Sequence, residues 1–341
     1  LRIAIDATYS VGSQLTGVGV YSRELISALR ATAGSARLRL CFRPHRIMRG
    51  FLEVGGTSTR LLTETSAPRC DLFHGLNQRL PAASLPRSVV TFHDLFVVTG
   101  EYSTPDFRAR FTEQARHAAA RADLIIAVSR FTADQVRDVL GVPDDRIRVV
   151  HHGARTPRPP ISAVTREPLI LNVGAIQARK NIVRLIEAFE QTPPEWRLAL
   201  AGSRGFGADE IVARIERSSR RASIAVTGYL SADELERMYA RASIFAFPSL
   251  DEGFGMPVLD AMARGVPVLT SNRASLPEVA GDAAILVDPA QTDELSSALR
   301  GLCLDPGLRE RLAAAGKRRA AEFTWELAAR RTWKAYRELL D

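Results

Sequence analysis

Two short stretches of this sequence bring charged side chains together with glycines in a pattern suited to a phosphorylated ligand. Phe247–Thr270 reads FPSLDEGFGMPVLDAMARGVPVLT. An apolar strand pattern ends at Phe247, and the loop after it carries Glu252 between Leu250–Asp251 and the run Gly253, Phe254, Gly255, Met256. Glycine lets a ligand approach the backbone closely. Pro257 then marks the first turn of a helix, whose N-terminus offers N–H groups and a positive dipole end to a phosphate. Asp260 follows on that helix, eight residues after Glu252, so two carboxylates stand where they can hydrogen-bond sugar hydroxyls. Read in isolation, they are a solvated loop acid and a helix-N-terminal acid favourable to the dipole. The second stretch, Leu171–Asn181 (LNVGAIQARKN), ends a strand at Asn172–Val173–Gly174 and delivers Arg179 and Lys180 to the start of a helix. Adjacent cations at the carboxyl end of a strand suit a diphosphate whose charge must be neutralised as it leaves. The plain alternative is a surface Arg-Lys pair.

Two further segments are weaker. Asp6–Tyr21 (DATYSVGSQLTGVGVYS) reads as strand, glycine loop and helix, and Gly17 and Gly19 let the backbone meet a phosphate or an acceptor. It lacks the full dinucleotide fingerprint and its acidic partner. Thr91–Leu95 (TFHDL) puts His93 and Asp94 after an apolar strand. A lone histidine is more often structural, but a strand's carboxyl end raises the functional reading to an even one. His151 and His152 close another strand and read as lining or hinge residues. Asp144–Asp145 follow Pro143 in a turn. No D-x-D, G-x-S-x-G, Walker or H-E-x-x-H sequence occurs.

These loops need a scaffold that presents strand ends on one edge. Val- and Ile-rich runs alternate with amphipathic patterns along the chain. Leu1–Ile5, Arg37–Phe42, Leu72–Phe73, Ser88–Phe92, Leu124–Val128 and Arg148–Val150 read as strands, with helices over Gly17–Leu29, Asp106–Arg121 and Phe131–Leu140. A second series covers Leu169–Val173, Arg197–Ala201, Ser223–Val226, Ile244–Phe247, Val266–Thr270 and Ala284–Val287. Ser231 and Glu234 fit a capping box, Pro306 fits a helix start, and about 291–340 holds three helical patterns in succession. Strand–helix alternation of this kind predicts an α/β fold of two doubly wound Rossmann-like domains facing a central cleft. The expected division is 1–155 as a first domain, a proline-rich linker over 156–168, a second domain over 169–324, and a C-terminal helix over 325–341.

The bulk numbers agree with such a chain. Its 341 residues suit two domains, and 46% hydrophobic with 25% charged residues is ordinary for a globular protein. No apolar run approaches the ~20 residues of a transmembrane helix, and no basic-then-apolar leader is visible before the first strand pattern. Cys41, Cys70 and Cys303 are odd in number and without metal-type spacing, so they read as reduced thiols of a cytoplasmic protein. The net charge is +8, and residues 1–155 hold 21 Arg against 14 acidic residues, so the first part carries +7 of it. The arginines are dispersed, which favours a solvated surface. The sharper reading is peripheral attraction to an anionic membrane face or a lipid diphosphate. No nucleic-acid module appears.

The combined motifs resemble those of the family 4 retaining glycosyltransferases, which have the GT-B fold. EGFGMPVLDAMARGVPVLTS looks like that family's E-x7-E region. GVGVYSREL, TFHDL, VSRFTADQV, NVGAIQARKNIVRLIEAF, PEVAGDAAILVDP and FTWELAARRTWKAYREL extend the resemblance over essentially the whole chain. It is closest to bacterial mannosyltransferase-like members acting in polysaccharide assembly. The resemblance implies that Glu252 contacts the transferred sugar, that Asp260 stands where the family usually has Glu on the ribose, and that Lys180 holds the diphosphate. Ala175 replaces a frequent Arg, a charge that Arg179 is expected to supply. It further places Gly17 and Gly19 near the phosphates, Gly174 among the donor-binding residues, His93 against the donor sugar, and Tyr229 and Leu230 at the base. It implies that 1–155 is the acceptor-side domain and 169–324 the donor domain, and that the helix over 325–341 returns to the first domain. The implied reaction is retaining and needs no metal or other cofactor. The donor is a nucleotide-diphosphate sugar, GDP-mannose before UDP- or dTDP-sugars. The acceptor is a saccharide, a lipid-linked saccharide or a soluble small molecule. A sugar-nucleotide 2-epimerase lacks this glycine-flanked acid. A phosphorylase would need a pyridoxal-phosphate lysine that no segment specifies. A non-catalytic nucleotide-sugar-binding module would bind donor without turnover.

Overall fold

The computed structural model describes residues 1–55, 59–157 and 165–341. Residues 158–164, the middle of the expected linker, lie outside the described residues. The chain divides into two compact units, Leu1–Gly153 with Phe323–Asp341, and Ala154–Glu322.

The first unit holds seven parallel strands: β1 (Arg2–Asp6), β2 (Arg37–Phe42), β3 (Thr59–Leu61), β4 (Leu72–Gly75), β5 (Ser88–Phe92), β6 (Leu124–Ala127) and β7 (Ile147–Val149). Their order is β3-β2-β1-β4-β5-β6-β7. The central strands are buried on both faces, as in LIIA of β6, which is why they read as apolar runs rather than as alternating ones. The chain reverses direction of travel across the sheet between β1 and β4, and crevices beyond strand ends at such a point are where ligands of doubly wound sheets bind. The helices Gly17–Ala31, Pro105–Arg121 and Arg130–Leu140 stand within two residues of expectation. The short edge strand β3 and the helix Ile47–Val54 were not legible. The helix covers the sheet with Ile47, Gly50 and Val54 only. A Cβ on Gly50 would lie 2.6 Å from the Phe42 ring, so glycine sets how close this helix comes.

The C-terminal helix Trp325–Leu340 belongs to the first unit, where Ala328, Ala329, Trp333 and Tyr336 enter the same core as Leu25 and Leu29. Trp333 donates its indole N–H to Thr32 Oγ1 at 3.0 Å. Thr324 caps the helix by accepting from Leu327 N at 3.1 Å. A buried polar chain runs beneath it: the Tyr336 hydroxyl lies 2.6 Å from His74 Nδ1, His74 Nε2 lies 2.8 Å from Thr91 Oγ1, and Thr91 Oγ1 lies 3.0 Å from the Tyr21 hydroxyl. Every member is at most 1% exposed, so each polar atom must find its partner inside the protein.

The second unit repeats the architecture with six parallel strands: β8 (Glu167–Val173), β9 (Arg197–Ala201), β10 (Ile224–Gly228), β11 (Ala242–Phe247), β12 (Val268–Ser271) and β13 (Ile285–Val287), in the order β10-β9-β8-β11-β12-β13. The Ser231–Glu234 capping box is present at the helix Ala232–Arg241. Pro306 opens the helix Pro306–Ala321 behind the cap Asp305. Strands β8 and β11 are neighbours at the centre of the sheet, which brings the two charged loops of the sequence side by side. Among the described residues no helix is long and apolar enough to cross a membrane, and all three cysteines are free and buried.

Burial leaves the first unit sensitive to acid. It depresses His74 to about 3, and depresses His93 to about 4 even though Leu76 O pulls the other way. In the unfolded chain both titrate near 6.5. As pH falls through about 6.5 the unfolded chain takes up protons that the fold refuses, so stability drops, and His93 stops contributing only near pH 4. Each histidine contributes up to about 1.4 kcal/mol per pH unit in that window. Urea unfolding of wild type between pH 7.5 and 4.5 should show this decline, and His74→Gln should reduce its slope.

Candidate active site

In the second unit, Glu252 leaves the loop after β11, while Arg179 and Lys180 sit in a short 3-10 turn after β8. The three side chains meet. Lys180 Nζ donates to Glu252 Oε1, Arg179 Nη1 stands 2.9 Å from the same oxygen, and Ser249 Oγ donates to it at 2.7 Å. Arg179, Lys180 and Glu252 are 7%, 6% and 8% exposed, so the pairing is a buried one. Burial alone pushes the Glu252 carboxyl up, but Arg179, Lys180 and the hydrogen bonds from Lys180 and Ser249 outweigh it and hold the group at about 2. Glu252 is therefore ionised at any working pH.

The surrounding backbone is built to hold this cluster. Arg179 Nη1 also donates to Asp251 O, and Leu250 N donates to Arg179 O at 2.9 Å, which ties the two loops together. Ser275 Oγ donates to Glu252 O at 2.7 Å and Ser271 Oγ to Ser249 O at 2.7 Å. Gly174 has φ +148°, a backbone conformation that side chains rarely adopt, and it lies against the Lys180 stem, which a Cβ there would meet at 3.4 Å. Lys180 Nζ lies 4.6 Å over the Phe247 ring, a cation–π contact that further favours its charged form. Gly255 has φ +100° and is the N-cap of the helix Met256–Ala263. A Cβ there would meet Leu276 Cδ2 at 2.6 Å. Gly253, Phe254 and Gly255 are buried and Met256 is half-buried at this helix start.

Sequence reading passed over two members of the site. Ser249 orients Glu252, and Asp251 adds a second carboxyl whose Oδ1 is buried without a hydrogen-bond partner among the described residues. Burial, with Glu252 beside it, lifts Asp251 to about 6 against the pull of Arg179 and Lys180. The cluster thus changes its charge balance near pH 6. Below it, two cations face one carboxylate; above it, they face two.

Asp260, 3% exposed, is bound by a residue that sequence reading assigned no role. Arg155 donates its backbone N–H to Asp260 Oδ1 at 3.2 Å, and its Nε and Nη2 to Oδ2 at 2.8 and 2.5 Å. Arg264 Nη1 stands 3.7 Å from Oδ1. A ribose hydroxyl bound here would share the carboxylate with these arginines. Tyr229 and Leu230 follow β10 on the same edge of the sheet; Tyr229 is exposed and Leu230 half-buried.

In the first unit, His93 follows β5 and is 7% exposed. Its Nε2 lies 2.9 Å from Leu76 O. A carbonyl only accepts, so Nε2 carries the proton, and a ring held at about 4 is neutral at pH 7 with Nδ1 an acceptor. The Tyr21 ring fixes its plane edge-on at 4.6 Å, and His152 stands 5.7 Å away. Gly17 opens the helix Gly17–Ala31 and is exposed. Gly19 is buried, and a Cβ there would strike Tyr9 O at 2.8 Å, so packing alone already requires that glycine. Among the described residues no group of three or more His, Cys, Asp or Glu could hold a metal ion.

Two outcomes follow from the buried cluster. Glu252→Ala strands two buried cations and should lower stability by about 3–5 kcal/mol, measured by urea unfolding; a change below about 1 kcal/mol would contradict the pairing. Anion affinity at the cluster should rise as pH falls through about 6, and Asp251→Asn should flatten that dependence, read by titrating pyrophosphate calorimetrically at pH 5 and 7.5.

Residues 155–319 match the model for "Glycosyl transferases group 1", and residues 37–158 match "Glycosyltransferase Family 4". The chain is 35% identical to O-antigen chain mannosyltransferase B of Escherichia coli, over 79% of this chain and 74% of that protein. It is 28% identical to the serotype-specific mannosyltransferase WbdA of Escherichia coli over 77% of this chain, but spans only 35% of WbdA's length. Among solved structures, sucrose-phosphate synthase from Thermosynechococcus elongatus has the same fold, with a TM-score of 0.79 over 99% of this chain and 98% of that one at 21% identity. Anabaena Alr3699/HepE in complex with UDP and glucose gives 0.74 over 98% of each chain at 17% identity. The chain belongs to the family 4 glycosyltransferases of the GT-B fold and is a glycosyltransferase close to bacterial mannosyltransferases.

Proposed function

We propose that this enzyme moves mannose from GDP-mannose to a hydroxyl of a saccharide or lipid-linked saccharide, with retention at the anomeric carbon and without a metal. The observation that carries the reading is the buried Arg179–Lys180–Glu252 cluster at the start of a helix. Two fixed cations can supply the charge that a leaving diphosphate needs, at no reorganisation cost during reaction. Glu252, ionised and immobile, can orient the sugar's hydroxyls and favour the positive charge that develops at its anomeric carbon. His93 Nδ1 can accept from a donor-sugar hydroxyl. In the reaction, the bond between the anomeric carbon and the phosphate oxygen breaks. The acceptor oxygen forms its bond on the same face, and its proton passes to the departing phosphate oxygen. Asp260 and Arg155 remain candidates for the ribose, and Tyr229 and Leu230 for the base.

Mannose is favoured by the relatives named as mannosyltransferases. A nucleotide-diphosphate donor is supported by HepE, which is described with UDP and with UDP-glucose. That neighbour also keeps a UDP-sugar as the second reading of the donor.

A thermal-shift titration with GDP, UDP, dTDP and their sugar conjugates tests this. A ligand at about 100 times its dissociation constant stabilises by about 2.7 kcal/mol, and the GDP pair should give the largest shift. Turnover of GDP-mannose should persist in EDTA; loss restored by Mg²⁺ would overturn metal independence. A shift with UDP alone would move the donor to the second reading.

A further inference from the structure

In the first unit, the loop that follows β1 meets a second group of cations. Gly12 has φ +120°, a conformation that side chains rarely adopt. A Cβ on it would lie 3.0 Å from Arg49 Nη1 and 3.3 Å from Arg46 Nη1. The two guanidinium groups therefore converge on the place where a side chain of this one residue would stand. Glu53 holds the loop beneath them by accepting from Gly12 N at 3.1 and 3.2 Å, and its charge is taken by Arg23 at 3.6 Å. Arg23 in turn donates to Ser10 O at 3.0 Å and Gly12 O at 3.2 Å. Among the described residues neither Arg46 nor Arg49 meets a carboxylate within ion-pair distance. Of the three arginines only Arg23 pairs with Glu53, and the two beside the glycine keep their charge for something else.

Gly12 follows β1 and Arg46 and Arg49 follow β2, so the site lies on the carboxyl edge of the first sheet, the edge that also carries His93 after β5. At about 4.8 Å per strand, the two places are roughly 10–15 Å apart along the edge. The exposed neighbours on the helix Ile47–Val54 are apolar: Met48 is 69% and Leu52 82% exposed.

We propose that Arg46 and Arg49 bind the phosphate or diphosphate of the acceptor, so that the acceptor of this glycosyltransferase is a phosphate ester whose reacting hydroxyl lies toward His93. Planar guanidinium forks suit phosphate oxygens, and a pair of them suits a group with several. The proposal rests on the reading that the first unit takes the acceptor. A free sugar phosphate and a lipid-linked phosphate present the same head. Met48 and Leu52 beside Arg49 favour the lipid-linked source.

The full chain is titrated with inorganic pyrophosphate in a Lys180→Met background, which weakens the diphosphate site of the second unit, and the thermal midpoint is followed. A midpoint rise is expected there, and Arg46→Gln with Arg49→Gln should abolish it. Both substitutions are at partly or fully exposed side chains. No rise in the Lys180→Met background, or a rise that survives the double substitution, would overturn the proposal. Farnesyl diphosphate in place of pyrophosphate separates the sources: tighter binding that Met48→Ser with Leu52→Ser removes identifies a lipid-linked acceptor, and equal binding a soluble phosphate ester. In transfer assays the double glutamine variant should raise the KM of a phosphorylated acceptor by about tenfold or more and leave the KM of the sugar nucleotide alone. Equal use of an acceptor and its dephosphorylated form would sink the proposal while the glycosyltransferase reading stands. Absence of transfer from every sugar nucleotide would count against the donor reading and leave the pyrophosphate result to decide this one.

Discussion

Two cations and one carboxylate, buried together between the loops after β8 and β11, constrain the second unit more than any other contact. A buried charge is tolerated only with a partner in good geometry. Arg179 and Lys180 could not be buried without Glu252, and Glu252 could not be buried ionised without them. The requirement propagates outward. It needs β8 and β11 as neighbours, Ser249 to donate to the same carboxylate oxygen, and Ser275 to hold the Glu252 carbonyl. The preorganisation that makes the cluster costly to assemble is what makes it useful, because charge fixed in a dry place need not reorganise when a reaction moves charge past it.

The first unit solves a different problem with neutral groups. His74, Thr91, Tyr21 and Tyr336 form a hydrogen-bonded chain without formal charge, and burial keeps His74 and His93 unprotonated. A neutral His93 with its proton on Nε2 leaves Nδ1 as an acceptor, whereas a charged ring would carry a donor at both nitrogens. The C-terminal helix contributes Tyr336 to this chain, so residues at the far end of the sequence help set the surroundings of a histidine in its first third.

Much of this was legible beforehand, and for identifiable reasons. Strands buried on both faces appear as uninterrupted apolar runs, so β5, β6, β8 and β9 could be read within two residues. Caps such as Ser231 and breakers such as Pro306 mark helix starts through local hydrogen bonding and a fixed φ. Glu252, Arg179 and Lys180 stood out because charged residues beside glycines at strand ends are uncommon unless something binds there. The strand Thr59–Leu61 and the helix Ile47–Val54 left too little signal. Three residues carry no period, and a helix of eight residues that packs Ile47, Gly50 and Val54 inward while exposing Met48 and Leu52 carries apolar residues on both faces over little more than two turns.

What the sequence determined by itself is the succession of strands and helices, the identity of the loops at the strand ends and, through its motifs, the resemblance to the family; these depend on periodicity and on contacts between near neighbours in the chain. The tertiary structure alone decided which side chains meet. That Arg155 closes on Asp260, 105 residues away, that Ser249 and Lys180 share one carboxylate oxygen, that Asp251 is lifted to about 6, and that two arginines after β2 converge on a glycine after β1 all follow from strand order and burial. Those are properties of the folded sheet, because pairing across it sets distances, and exclusion of water sets the strength of every charge, that no linear spacing encodes.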